Sequence, residues 1–244
     1  MKLRTWADEP MIAFDTETTG VVPETDRIVS AAAVALHGTT APGISEWLIN
    51  PGVPIPKVAS EVHGFTTEKV EADGASPVPS IAAIVETLMA AIKTGTPVLA
   101  FNAAYDLSLL HWDCRRHNIP TITDRCTDDG LDLFVIDPMV IDRACDRYRK
   151  GKRTLSVVAE HYGIELPEEL AHTAAGDCMA TARVAWKISR MYPTVGTMSL
   201  HDLMDYQRTA HAEWAENFEE FLRRSGKDNV TISRQWPLRI EGDE

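Results

Sequence analysis

Residues 11–20 read MIAFDTETTG. An apolar run from Met11 to Phe14 leads into Asp15, and Glu17 follows two positions later. The run predicts a short buried strand over 11–15. In a strand, residues i and i+2 project to the same face, so Asp15 and Glu17 point past the apolar section toward one spot. Two carboxylates held that close repel unless one is protonated or a cation lies between them. Oxygen-only clusters of this kind suit Mg²⁺ or Mn²⁺. A surface pair in a loop is the competing reading, and the decapeptide alone does not separate the two.

The rest of the chain bounds what such a pair could serve. Its 244 residues, 44% hydrophobic and 25% charged, suffice for one large domain, or for a domain of about 180 residues with an appendage. A net charge of -12 argues against a protein that coats nucleic acid nonspecifically, because such binding rests on Lys and Arg neutralising phosphates. It is compatible with an enzyme that grips a few nucleotides through metal ions. Cys114, Cys126, Cys145 and Cys178 form no CxxC pair, which suits a reduced, cytoplasmic setting. His111, Cys114 and His117 are three apart but have no matching second pair, so zinc is not expected there. The opening MKLRTWADEP carries no apolar signal core, and no apolar run approaches membrane-spanning length, so no membrane partner is expected.

Further strands are predicted over 28–36 (IVSAAAVAL), 44–49 (ISEWLI), 97–102 (PVLAFN) and 133–137 (LFVID). Helices are predicted from Ser80 as N-cap through Ile92, and over about 105–117, 138–148, 154–162 and 174–191. Three strands followed by alternating helices and strands give an α/β fold, a mixed sheet flanked by helices. Beyond about residue 192 the character changes. Leu200, Leu203, Met204, His211, Trp214, Phe218 and Phe221 recur at helical spacing, with a short strand predicted at 230–232. Residues 8–192 therefore read as the main domain and 193–244 as a C-terminal helical extension.

Two further acidic segments lie at helix starts. In LAFNAAYDLSLL (99–110), Asp106 sits in the first turn after a strand, where a helix N-terminus also favours a carboxylate as a plain cap. Asn102 at the strand end can fix the turn. In AHTAAGDCMATA (171–182), Thr173 is the predicted N-cap, which places His172 in the loop and Asp177 in the first turns of the helix. Taken singly, Asp106 reads as a helix-start residue and His172 as an exposed loop residue.

Together FDTETTG, FNAAYD and HTAAGD resemble, in order and spacing, the three motifs of the DEDDh class of 3′–5′ exonucleases, the DnaQ-like family that includes the proofreading subunit of bacterial DNA polymerase III. VHGFTTE (62–68) and RTLSVVAEHYGIELP (153–167) resemble further family segments. The resemblance implies a ribonuclease H-like fold with a five-stranded sheet. It also implies two divalent cations, Mg²⁺ or Mn²⁺, roughly 4 Å apart and held by Asp15, Glu17, Asp106 and Asp177. His172 is then the general base, able to take a proton at neutral pH. Thr16, Thr18, His63, Phe65 and Asn102 become the substrate-contact candidates, Phe65 offering an aromatic face for stacking. The implied reaction removes nucleoside 5′-monophosphates from the 3′ end of DNA, with RNA trimming as the alternative and a non-catalytic polymerase- or repair-binding module as the rival class. The complete set of four carboxylates and a histidine counts against that rival.

Two features stand outside the motifs. Arg143, Arg147, Arg149, Lys150, Lys152 and Arg153 form a basic run that is either a solvated helix end or a contact for nucleic-acid backbone. The aromatic stripe of the extension is expected to dock on the protein's own core. Otherwise it marks a surface for self-association or for a DNA polymerase.

Overall fold

Strand β1 (Met11–Thr18) lies at the centre of a sheet whose order is β3-β2-β1-β4-β5, with β2 Ile28–Leu36, β3 Gly43–Leu48, β4 Val98–Leu99 and β5 Val135–Ile136. The computed structural model describes residues 3–38, 40–165, 173–227 and 229–240. β2 runs antiparallel to both β1 and β3, whereas β4 and β5 run parallel to β1, so the sheet is mixed. This is the predicted α/β architecture.

Alternation along β1 divides the core. Ile12 and Phe14 join a cluster with α3 (Pro77–Ile92) and α4 (Ala103–Arg116), while Met11 and Ala13 join one with α7 (Leu155–His161) and α8 (Ala174–Met191). The small residues of β2 let the alanine-rich α8 come close: the Cys178 thiol donates to the Ala32 carbonyl at 3.6 Å. On the far side of β2, α1 (Lys57–His63) and α2 (Thr67–Asp73) enclose a small cluster of Val29, Ile55 and Val70, with Phe65 against it.

Several boundaries differ from expectation, and the short helices α1, α2, α5 (Ile122–Asp129) and α9 (Pro193–Gly196) are additions to the predicted set. Helix α3 starts at Pro77 behind Ser76, because proline is pre-set for a first helical position; the Ser80 hydroxyl lies inside the helix and donates to the Ser76 carbonyl. Strands β4 and β5 hold only two residues each. Residues 230–232 form no strand: the Ile232 N–H donates to the Glu219 carboxylate, a side chain of α10 (Leu200–Arg224).

The segment beyond residue 192 contributes to both clusters, Leu203 to one and Met204 and Trp236 to the other. Helix α10 also covers the free edge of β5. The Gln207 side chain accepts from the Asp137 N–H (2.7 Å) and donates to the Val135 carbonyl (2.9 Å), taking the place a sixth strand would fill. Asp137 itself is 1% exposed and caps α6 (Pro138–Cys145). Its carboxylate accepts from Met139 N–H, Val140 N–H, Asn102 N–H, Ala103 N–H and the Trp236 indole. Asp137→Ala strands five donors, four of them in buried bonds, and should lower stability by about 3–5 kcal/mol in urea unfolding. A loss below about 1 kcal/mol would show that water replaces the carboxylate.

Candidate active site

The C-terminal ends of the inner strands β1 and β4 and the N-terminal end of α8 meet at one end of the sheet. Glu17 follows Asp15 on the α8 face of β1, and Asp177 reaches the same place from the first turn of α8. That helix is started by Thr173, whose hydroxyl accepts from the Gly176 N–H at 3.1 Å. Asp15, Glu17 and Asp177 each bring a carboxylate oxygen within 4.8 Å of the others, the only such metal-ligating group among the described residues. His111, Cys114 and His117 form none there: the Cys114 thiol is buried in the core, which pushes it up to about 12.

Asp106 takes a different position. Because β4 ends at Leu99, paired with Ala13, the edge of β1 beyond that pair has no strand beside it. The Asp106 carboxylate fills the gap, accepting from the Thr16 N–H (3.0 Å) and the Thr16 hydroxyl (2.7 Å). Asn102 aims it. This residue adopts a left-handed conformation (φ 66°, ψ 46°) that asparagine tolerates, and it turns the chain from β4 into α4. Asn102 and Thr16 are thus held by backbone and side-chain bonds inside the protein.

The carboxylates burden one another. Burial, then the charges of Asp106, Asp177 and Glu17, raise Asp15 well above the carboxylate range. Burial, then Asp177 and Asp106, raise Glu17 to about 8. Burial raises Asp106 to about 7 against the opposing hydrogen bonds from Thr16. An all-oxygen donor set whose members resist ionisation together fits a hard divalent cation, which would relieve the repulsion. The consequence for stability has a definite sign. Groups whose folded pKa is raised favour folding below their unfolded pKa, near 4, and that contribution is lost as pH rises through about 8. The metal-free protein should therefore lose at least about 4 °C in melting temperature between pH 6 and pH 9, and millimolar Mn²⁺ should restore it. A melt indifferent to metal at pH 9 would count against cation binding by these residues.

The Thr-Thr-Gly that follows Glu17 is tied down on several sides. The Thr18 hydroxyl lies 2.7 Å from the Tyr105 hydroxyl and donates to the Gly20 carbonyl at 2.6 Å; Tyr105 donates to the same carbonyl. A Cβ on Gly20 would lie 2.5 Å from the Asp26 carboxylate, which accepts from the Val22 N–H and the Thr19 hydroxyl. His63 sits against the strand end. Its Nδ1 accepts from the Phe65 N–H (3.1 Å), so Nε2 carries the proton and donates to the Thr18 carbonyl (3.2 Å). Burial holds the imidazole below its usual pKa, keeping it in this neutral form. Phe65 lies 5.5 Å from the His63 ring, half-buried on the Val29 cluster. Tyr105 and Asp26 were not singled out by motif reading; the one signal for Tyr105 is that it directly precedes Asp106. His172 lies outside the described residues.

The basic run divides. Arg149 and Arg153 are held by the buried carboxylate of Asp142, and Arg143 lies over the Trp214 ring. Arg147, Lys150 and Lys152 remain exposed.

A mixed five-stranded sheet with acidic side chains gathered at the end of its central strand is a ribonuclease H-like arrangement. The chain belongs to the exonuclease family: the family model described as Exonuclease (RNase_T) matches residues 12–185. It is similar to the DNA polymerase III subunit epsilon-like protein of Rhodobacter capsulatus, 34% identical over 174 residues, covering 70% of this chain and 22% of that protein. It is also similar to the PolC-type DNA polymerase III of Streptococcus thermophilus, 26% identical over 71% of this chain and 11% of the relative. The chain thus spans under a quarter of the length of these curated relatives. Among solved structures, E. coli exonuclease I in complex with a dT13 oligonucleotide shares the fold, with a TM-score of 0.62, 21% identity, and coverage of 77% of this chain and 43% of that one. No helix among the described residues is long and apolar enough to cross a membrane.

Proposed function

We propose that the protein is a divalent-metal-dependent 3′–5′ exonuclease that hydrolyses the terminal phosphodiester of DNA and releases nucleoside 5′-monophosphates. The observation that carries this reading is the convergence of Asp15, Glu17 and Asp177 within 4.8 Å, in a chain of the exonuclease family. DNA is chosen as substrate because the similar proteins are named for DNA polymerase III and the structural neighbour is bound to a DNA oligonucleotide. The same names make a DNA polymerase the candidate partner.

Asp15, Glu17 and Asp177 would hold Mg²⁺ or Mn²⁺, with two ions the expected number. Bound there, the cations would supply positive charge for the scissile phosphate and acidify a coordinated water. Asp106 acts beneath the site by fixing Thr16, so that Asp15 and Glu17 stay aimed together. His63 fixes the Thr18 carbonyl and sets Phe65 beside the strand end, where the terminal base can stack. His172 takes the proton of the attacking water.

A timed digestion tests the reading on single-stranded DNA, duplex DNA and RNA, each labelled at the 3′ or the 5′ end. Mg²⁺ or Mn²⁺ should release the 3′ label first as a mononucleotide and shorten 5′-labelled strands stepwise, and chelator should stop both. Release of the 5′ label first, or internal cuts, would overturn it; RNA cleaved faster than DNA would reassign the substrate.

A further inference from the structure

Away from the carboxylates, α6 and the residues after it face α10 across an open groove of about 520 Å³. Trp214, Phe218 and Phe221 follow one another along α10 at spacings of four and three, so their rings share a face. They stack in series. Trp214 and Phe218 are 5.4 Å apart at 17°, and Phe218 and Phe221 are 6.3 Å apart at 13°. Arg143 closes one end with its guanidinium 3.8 Å from the Trp214 ring centre, whereas the other end is open, Phe221 being 61% exposed. The exposed Arg147 lines the same groove and makes no ion pair among the described residues.

The charge here runs against that of the whole chain. In a protein of net charge -12, the groove is lined by four arginines and one acidic side chain, Glu213. Asp142 and Asp146 offset Arg149 and Arg153, which leaves Arg143 on the Trp214 ring and Arg147 exposed in the lining. Flat, near-parallel aromatic faces take planar groups, as the Arg143 guanidinium already illustrates, and arginine beside them takes phosphate. A second copy is the weaker occupant, since a two-fold contact would set these arginines against themselves. An acidic peptide would satisfy the arginines and leave the ring faces unused.

We propose that the α6–α10 groove is a second binding site for single-stranded nucleic acid, where a base extends the ring series by stacking on the open face of Phe221, which Phe218 backs, and phosphates lie against Arg143 and Arg147. The proposal rests on the reading of the protein as an exonuclease: the groove would hold the body of a strand whose 3′ end is at the carboxylates. Long strands then gain a contact that short ones cannot reach.

Fluorescence anisotropy of the full chain in chelator, with labelled oligothymidylates of about 4 and about 16 nucleotides, separates the two sites without hydrolysis. The native protein should bind the long strand at least about 10-fold more tightly than the short one. Phe221→Ala, Phe218→Ala/Phe221→Ala and Arg147→Glu should each reduce that advantage and leave short-strand binding unchanged; Phe221→Trp should keep it. Arg147→Glu should also flatten the salt dependence of long-strand binding. The proposal is overturned if the variants keep native affinity for the long strand, if both lengths weaken equally, or if light scattering shows that the variants dissolve a dimer. Binding of neither length in chelator would overturn the groove and leave the exonuclease reading standing, because the grip on the 3′ end runs through cations and is tested by the digestion. Loss of the length advantage alone, with digestion of the short strand intact, is the outcome that supports the groove.

Discussion

Asp15→Asn is expected to reduce hydrolysis by roughly 10³-fold or more, the loss of about 4 kcal/mol of transition-state stabilisation. The substitution keeps shape and volume while removing the charge that Asp106, Asp177 and Glu17 all oppose. A second signature should accompany the loss. Because the raised pKa values penalise the folded state above about pH 8, the metal-free Asp15→Asn protein should melt higher than the native protein at pH 9, and its response to Mn²⁺ should shrink. A residue that merely supported the fold would lose activity and stability together. Adding Asp177→Asn should cost little more, since ligands that act as a unit are not additive. Near-native digestion by Asp15→Asn would remove it from the site.

His172→Gln has the second-largest expected effect, a fall of roughly 10²–10⁴-fold, the usual worth of a general base. The base must be neutral to accept a proton, so kcat/KM of the native protein should have an acid limb on which it rises with pH. The variant should lose that limb of the profile while its melting temperature still climbs with Mn²⁺. A variant that loses both activity and the metal response would place His172 among the ligands instead. The contrast with Asp15→Asn makes the pair informative, because one substitution shrinks the metal response and the other spares it.

The acidic segments were legible because their spacing reports local geometry. Period-two alternation put Asp15 and Glu17 on one face, and Thr173 announced the helix that carries Asp177. Asp106 was less so. Its own turn gives it the look of a helix-start residue, and its bonds to Thr16 arise only because β4 stops two residues after it begins. The basic run shows the same limit: one carboxylate, Asp142, decides that Arg149 and Arg153 are structural, and nothing in their spacing reveals it. The aromatic stripe of α10 divided along its length. Leu203 and Met204 are buried at one end, while Phe218 and Phe221 remain exposed at the other.

The sequence by itself thus determined the five strands of the sheet and the three motif segments that carry the family resemblance. Those follow from periodicity, caps and turns, which act over a few residues. Only the tertiary structure decided what those segments do to one another: Asp106 locking Thr16, Asp137 joining β4, β5 and the C-terminal segment, and Gln207 closing the sheet edge. These contacts join residues 34 to 99 positions apart, and such partners are chosen by how the elements pack, a property that no local pattern encodes.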